Sequence, residues 1–163
     1  RMVKALALTD QAIKRIRTLA YDLRPPILDL VGVNLGIKEL CREFSDQTGL
    51  KVEYSGIDLE GLQDEIGISL YRFVQEALTN VAKHAGASKV QVTLEYQDEI
   101  IKASVRDNGR GIPAGKKNAG LGMVGIKERF DTLGGSLEVS PVTPKGTQIQ
   151  VCLPWKGAIQ YPE

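Results

Sequence analysis

The 163-residue chain has a single histidine, His84, and two cysteines, Cys41 and Cys152, far apart and without CxxC spacing. That scarcity disfavours a zinc site and a disulfide scaffold and fits a reducing, cytoplasmic setting. Neither sign of charge is in excess: 21 lysines and arginines against 20 acids leave a net charge of +1. Without an electrostatic footprint for phosphate backbones or anionic lipid, no nucleic-acid partner is expected. No apolar run approaches the roughly 20 residues that a membrane helix needs. The opening "RMVKALALTDQAIKRIRTLA" is too charged for a signal peptide. Because the chain begins at Arg1 and not at a methionine, the expectation is a fragment of something longer, with membrane contact only through regions outside it.

What is present is 42% hydrophobic content, enough for the core of one domain or of a domain with an appendage. Ile13, Ile16, Ala20 and Leu23 recur at spacings of three, four and three, one face of a helix that Pro25 and Pro26 stop. That stripe pairs with a helix outside the fragment or packs on its own domain; periodicity alone allows both. A second helix is expected over Val33 to Phe44, then a short strand at "LKVEYSG". From Asp64 to Ala85, Ile66, Leu70, Phe73, Ala77 and Val81 make one helical stripe, with Gly86 as its stop. "SKVQVTLEYQ" and "IIKASVRD" alternate as antiparallel strands joined through Asp98 and Glu99. A helix through Ile126, Phe130 and Leu133 ends at Gly134 and Gly135, before the strands "SLEVSP" and "GTQIQVCLP". The sum is an α+β fold with a mixed, antiparallel-rich sheet and helices on one face.

Three stretches carry chemistry. In "VRDNGRGIP" the alternation drives Asp107 onto the buried face at the end of its strand, where a carboxylate must find a partner. It serves either as the aspartate of an Asp-Asn-Gly turn or as an acceptor for the exocyclic amine of adenine. Gly109 and Gly111 would let backbone pass close to such a ligand. In "NAGLGMVGIKERF", Gly120 and Gly122 stand directly before a helix, an anion site or an ordinary loop. "PAGKKN" between the two clusters reads as a lid over an anionic ligand or as a solvated loop. On the long helix, Glu76, Asn80 and His84 recur every four residues at the rim of the apolar stripe. Glu76 and Asn80 could hold a hydrated Mg²⁺, which accepts a few oxygen ligands plus phosphate. Lys83 either reaches a phosphate or is an ordinary exposed lysine.

In this order and at these separations the three stretches resemble the ATP-binding domain shared by gyrase, Hsp90, MutL and the histidine kinases. Glu76 and Asn80 match its N box, Asp107-Asn108-Gly109-Arg110-Gly111 its first glycine box, and Gly120-Leu121-Gly122-Met123 its second. Gly146-Thr147 sits at its late glycine-threonine element. "LRPPILDLVGVNLGIKEL" and "GLGMVGIKERFDTLGG" are similar to the sensor kinases of the nitrate-sensor, LiaS, DegS and DesK type. The resemblance implies a two-layer α/β sandwich of the Bergerat (GHKL) type and the cofactors ATP and Mg²⁺. It implies that Asp107 binds adenine, that Asn80 coordinates Mg²⁺, and that Glu76 is an acid/base or metal-shell residue. Lys83 and the backbone from Gly120 through Leu121 and Gly122 to Met123 would contact phosphate. Gly109 would contact the nucleotide, Gly111 and Thr147 would have a structural or adenine-side role, and His84 would be a nucleotide neighbour.

One departure is plain: the family's acceptor motif, His-Asp or His-Glu, is absent, and His84 belongs to the ATP-binding half. Residues 1–26 are therefore expected to be the remnant of a dimerisation helix with its connector, and residues 27–163 the catalytic domain. Implied partners are a response regulator and a second kinase subunit. The alternatives are a nucleotide-binding interaction module without transfer activity, an anti-sigma-like serine kinase, and an ATP-hydrolysing clamp, for whose other domains this length leaves no room.

Overall fold

The computed structural model describes residues 12, 23–112 and 121–160, with the backbone alone at 121, 159 and 160. The expected helix bearing Ile13, Ile16 and Ala20, and the expected lid within 113–120, lie outside those residues. Helix α1 spans Pro26–Thr48; Pro26 has the preset φ and the missing N–H that suit a first turn, and Gly49 ends the helix at φ 73°. It is broken at Gly32 (φ 76°, ψ 179°), so the helix expected from Val33 is the longer half of a two-part element. Leu30 and Val31 of the first half are exposed, which is why no single apolar stripe announced it.

Strands β1 (Lys51–Gly56) and β2 (Asp58–Glu60) lead to α2 (Asp64–Asn80). This helix continues as a wider, π-helical turn over Val81–Ala85 and stops at left-handed Gly86, φ 57°. Strands β3 (Lys89–Gln97) and β4 (Ile100–Asp107) are joined by Asp98 and Glu99 at φ 52° and 59°, the left-handed pair whose twist suits a two-residue hairpin. Next come α3 (Leu121–Thr132), β5 (Ser136–Pro141), β6 (Thr147–Pro154) and β7 (Ala158–Gln160).

The main sheet has five strands in the order β1-β3-β4-β6-β5. Only β1 with β3 is parallel, which makes the sheet mixed and antiparallel-rich as expected. Strands β2 and β7 form a separate antiparallel pair. One face carries Val92, Leu94, Ile101, Ala103, Val151 and Leu153, all fully buried. Against them α2 sets Leu70, Phe73, Ala77 and Leu78, and α3 sets Ile126 and Phe130; Phe73 and Phe130 meet edge to face at 6.3 Å. Each of the Val, Leu, Ile and Phe side chains contributes about 1.5–3 kcal/mol of burial. The opposite face bears Gln91, Thr93, Glu95, Lys102, Gln148 and Gln150, as befits a two-layer sheet with one side to water. No helix among the described residues is long and apolar enough to cross a membrane.

Candidate functional site

Alternation along β4 buries Ile101, Ala103 and Val105 and carries Asp107 to the same face, where it is only 7% exposed. Its Oδ1 accepts the Gly109 N–H at 2.7 Å, so the turn geometry is realised. Asp107 makes no other side-chain hydrogen bond among the described residues. The register setting Arg106 opposite Gln148 brings the buried Thr147 beside it.

The turn after Asp107 is docked onto the end of α2. The Arg110 N–H donates to the Ala85 carbonyl at 2.9 Å, and its Nε to the His84 carbonyl at 2.7 Å. Two carbonyls that a helix end would otherwise leave unsatisfied are thereby used. Asn108 Oδ1 accepts the N–H groups of Ser88 and Lys89, each at 3.0 Å, while its Nδ2 donates to Ser88 Oγ at 3.0 Å. A Cβ on Gly109 would overlap the Ala85 carbonyl, so close packing against the helix end already demands glycine there. Gly111 is held at φ 79° with the Gly146 carbonyl 3.3 Å from where a Cβ would stand. Sequence reasoning missed Asn108, Ala85, Ser88 and Arg110 as fixings; the Asn beside the singled-out Asp was the one available signal.

Glu76 and Asn80 lie one turn apart on α2, both half-buried, whereas Lys83 and His84 are exposed on the π-helical turn. The Glu76 carboxylate rests on Gly122, where a Cβ would overlap it. It therefore faces the first turn of α3, an end that carries free N–H groups and favours negative charge. Leu121 starts that helix; Met123 is 1% exposed, so its side chain belongs to the core and only its backbone faces the helix start. Gly120 lies outside the described residues. The structure thus gathers Glu76, Asn80, Asp107, Gly109, Gly111, Gly122 and Thr147 around the C-terminal end of α2. A cavity of about 210 Å³ lined by Leu28, Val33, Leu59 and Leu62 lies at the other end of α2, beside Arg24 and Asp64.

Comparison with known proteins gives the family of the chain. Signal transduction histidine-protein kinase/phosphatase DegS of Brevibacillus brevis is 35% identical over 149 residues, covering 90% of this chain and 39% of its own length. Sensor histidine kinase LiaS of Bacillus subtilis (strain 168) is 37% identical over 158 residues, covering 94% of this chain and 42% of its own. The chain therefore spans about two fifths of these relatives. In fold, it resembles the histidine kinase domain of the Erythrobacter litoralis EL346 blue-light activated histidine kinase, with a TM-score of 0.66 at 22% identity over 75% of this chain and 60% of that one. A sequence model of the family "Histidine kinase-, DNA gyrase B-, and HSP90-like ATPase" matches residues 65–157, the span holding every one of the gathered residues, and the chain belongs to that family of ATP-binding domains.

Proposed function

We propose that this chain is the catalytic domain of a sensor histidine kinase. The longer protein would move the γ-phosphoryl of ATP to a histidine outside these residues, then to an aspartate of a response regulator. The relatives DegS and LiaS bear the names of such kinases. The observation that carries the reading is the buried Asp107 carboxylate, one oxygen of which closes a turn while the other has no described partner. A buried acceptor of that kind suits the exocyclic amine of adenine, with the Thr147 hydroxyl beside it.

The nucleotide's other end has a matching place. A phosphate drawn to the N-terminus of α3 would lie against the Glu76 carboxylate, and two anions so placed call for a cation between them. Glu76 and Asn80 supply two oxygen donors. Among the described residues no group of three or more His, Cys, Asp and Glu side chains could hold a metal unaided. That donor set fits Mg²⁺, which keeps waters and takes phosphate oxygens as ligands. When bound, Mg²⁺ would neutralise charge on the phosphates, leaving this chain to orient them. Lys83 and His84, exposed on the adjoining turn, would approach phosphate and nucleotide from solvent.

Residues 1–26 would supply the contact to a second kinase subunit, residues 27–163 the nucleotide site. Calorimetric titration with a Mg-ATP analogue tests the site. Asp107→Asn is expected to weaken binding by at least about tenfold, because the amide presents an N–H₂ where an acceptor is needed. Equal affinity in both proteins, with circular dichroism unchanged, would overturn the adenine assignment. In the longer protein, Asn80→Asp is expected to abolish transfer while leaving the fold intact.

A further inference from the structure

The corner where the chain enters the domain is held by a set of polar contacts. Leu23 is 68% exposed, so little core packing holds it. Yet the Leu23 carbonyl accepts a hydrogen bond from Arg72 Nη2 at 3.2 Å, and Arg72 Nη1 donates to Gln75 Oε1 at 2.7 Å. Next in sequence, Arg24 Nε lies 2.6 Å from Asp29 Oδ1, and its Nη1 pairs with Asp64 Oδ2. Asp29 belongs to the first turn of α1 and Asp64 to the first turn of α2. Pro25 is buried at φ −59°, ψ 126°, and Pro26 restricts it further. A lone exposed ion pair is worth little. Here two arginines, two carboxylates and two prolines converge on one corner.

We propose that Arg24 and Arg72 are positioning residues, locking the direction in which the chain leaves the domain at Leu23 relative to the end of α2 that carries Glu76 and Asn80. Arg72 lies on α2 one turn before Glu76, about 6 Å along the axis. The bond that holds the Leu23 carbonyl and the side chains that face the nucleotide are thus set on one rigid rod. Phosphoryl transfer gains most from alignment, and a misplacement of 1 Å can cost on the order of a hundredfold. An acceptor carried by the preceding segment would be aligned through this corner. That last step rests on the kinase reading; the lock itself does not.

The test has one arm for each. In the 163-residue chain with Cys152→Ser, spin labels at Ala12→Cys and Glu128→Cys report the angle by pulsed electron resonance. A narrow distance distribution is expected, broadened in the Arg24→Ala/Arg72→Ala double variant and narrowed again in Arg24→Lys/Arg72→Lys. A distribution equally broad, or equally narrow, in the starting and double-variant proteins overturns the proposal. In the longer protein, the double variant is expected to lower kcat tenfold to a hundredfold with KM for ATP unchanged. Unchanged kcat overturns the role in transfer. Absence of transfer in the unsubstituted protein, with the distances behaving as expected, would instead overturn the kinase reading and leave the lock standing.

Discussion

The Glu76 carboxylate of α2 occupies the space that a Cβ on Gly122 of α3 would fill. Two helices are thereby joined at the point where a glycine of the second glycine box meets the acid of the N box. The obstacle is the end of a flexible side chain, so Gly122→Ala should be tolerated by the fold. The gain in helix propensity, up to about 1 kcal/mol, offsets the crowding. Thermal unfolding is expected to shift by no more than about 2–4 °C. Affinity for Mg-ATP analogue should nonetheless fall, since Glu76 must turn aside; calorimetry on the same samples reads it.

Gly109 meets a different neighbour. The Ala85 carbonyl is backbone, held by its bond to Arg110, and cannot swing away. Gly109→Ala is expected to lose about 1–3 kcal/mol from overpacking. Gly125→Ala, in the exposed interior of α3 with open space at its Cβ position, is expected to gain about 0.5–1 kcal/mol. Urea unfolding of the pair would show whether close contact or mere loss of glycine flexibility governs the glycine box; equal effects would contradict the packing argument.

Asn108 reads as a structural rather than a ligand-facing residue. Asn108→Ala strips partners from the N–H groups of Ser88 and Lys89 and from the Ser88 hydroxyl. Because this segment is exposed, water recovers part of the loss, and about 1–2 kcal/mol of stability is the expected cost. Nucleotide affinity should drop with it, since Asp107 stands on the same turn. Amide hydrogen exchange at Ser88 and Lys89 measures the local opening directly.

Alkaline pH should destabilise the domain. Burial pushes the Cys41 thiol from an ordinary 9.0 up to about 12, and burial raises the Tyr54 hydroxyl too, with Cys41 and Asp58 adding to it. Both groups hold their protons more tightly folded than unfolded. Stability from Cys41 is therefore complete below about pH 9 and is lost as pH climbs from there towards about 12. The urea midpoint should be flat from pH 7 to pH 8 and lower at pH 10. Cys41→Ala, if folded, should flatten part of that slope, and the folded thiol should resist alkylation at pH 8.

The elements with a strong period are legible in the sequence: the α2 stripe at 3.6, and β3, β4 and β6 at two. Leu70, Phe73 and Ala77 of α2, and Ile101, Ala103 and Val105 of β4, are all buried as their spacing demands. Strands β2 and β7 have three residues each, too short to show alternation. The parallel pairing of β1 with β3 is set by α2 crossing between them, which no local pattern encodes. Asp107 is legible because a carboxylate at the buried phase of a strand stands out. The docking of Arg110 on Ala85 is not, because it depends on where a helix end arrives in space. Gly109 stands out as special in the sequence, yet the neighbour closing on it is the protein's own backbone.

The Asn108-Gly109 pair has a bearing on how this protein ages. In a flexible chain, the nitrogen after an asparagine attacks the side-chain amide carbon, ammonia leaves, and the cyclic imide opens to aspartate or isoaspartate; a glycine in the next position makes this fast. Here the Gly109 N–H is given to Asp107 Oδ1 and the Asn108 amide is held at both its oxygen and its nitrogen. The fold thus protects its own weakest amide. Isoaspartate, read by peptide mass spectrometry after storage, should accumulate at position 108 in the unfolded chain and in Ser88→Ala well before it does in the native domain.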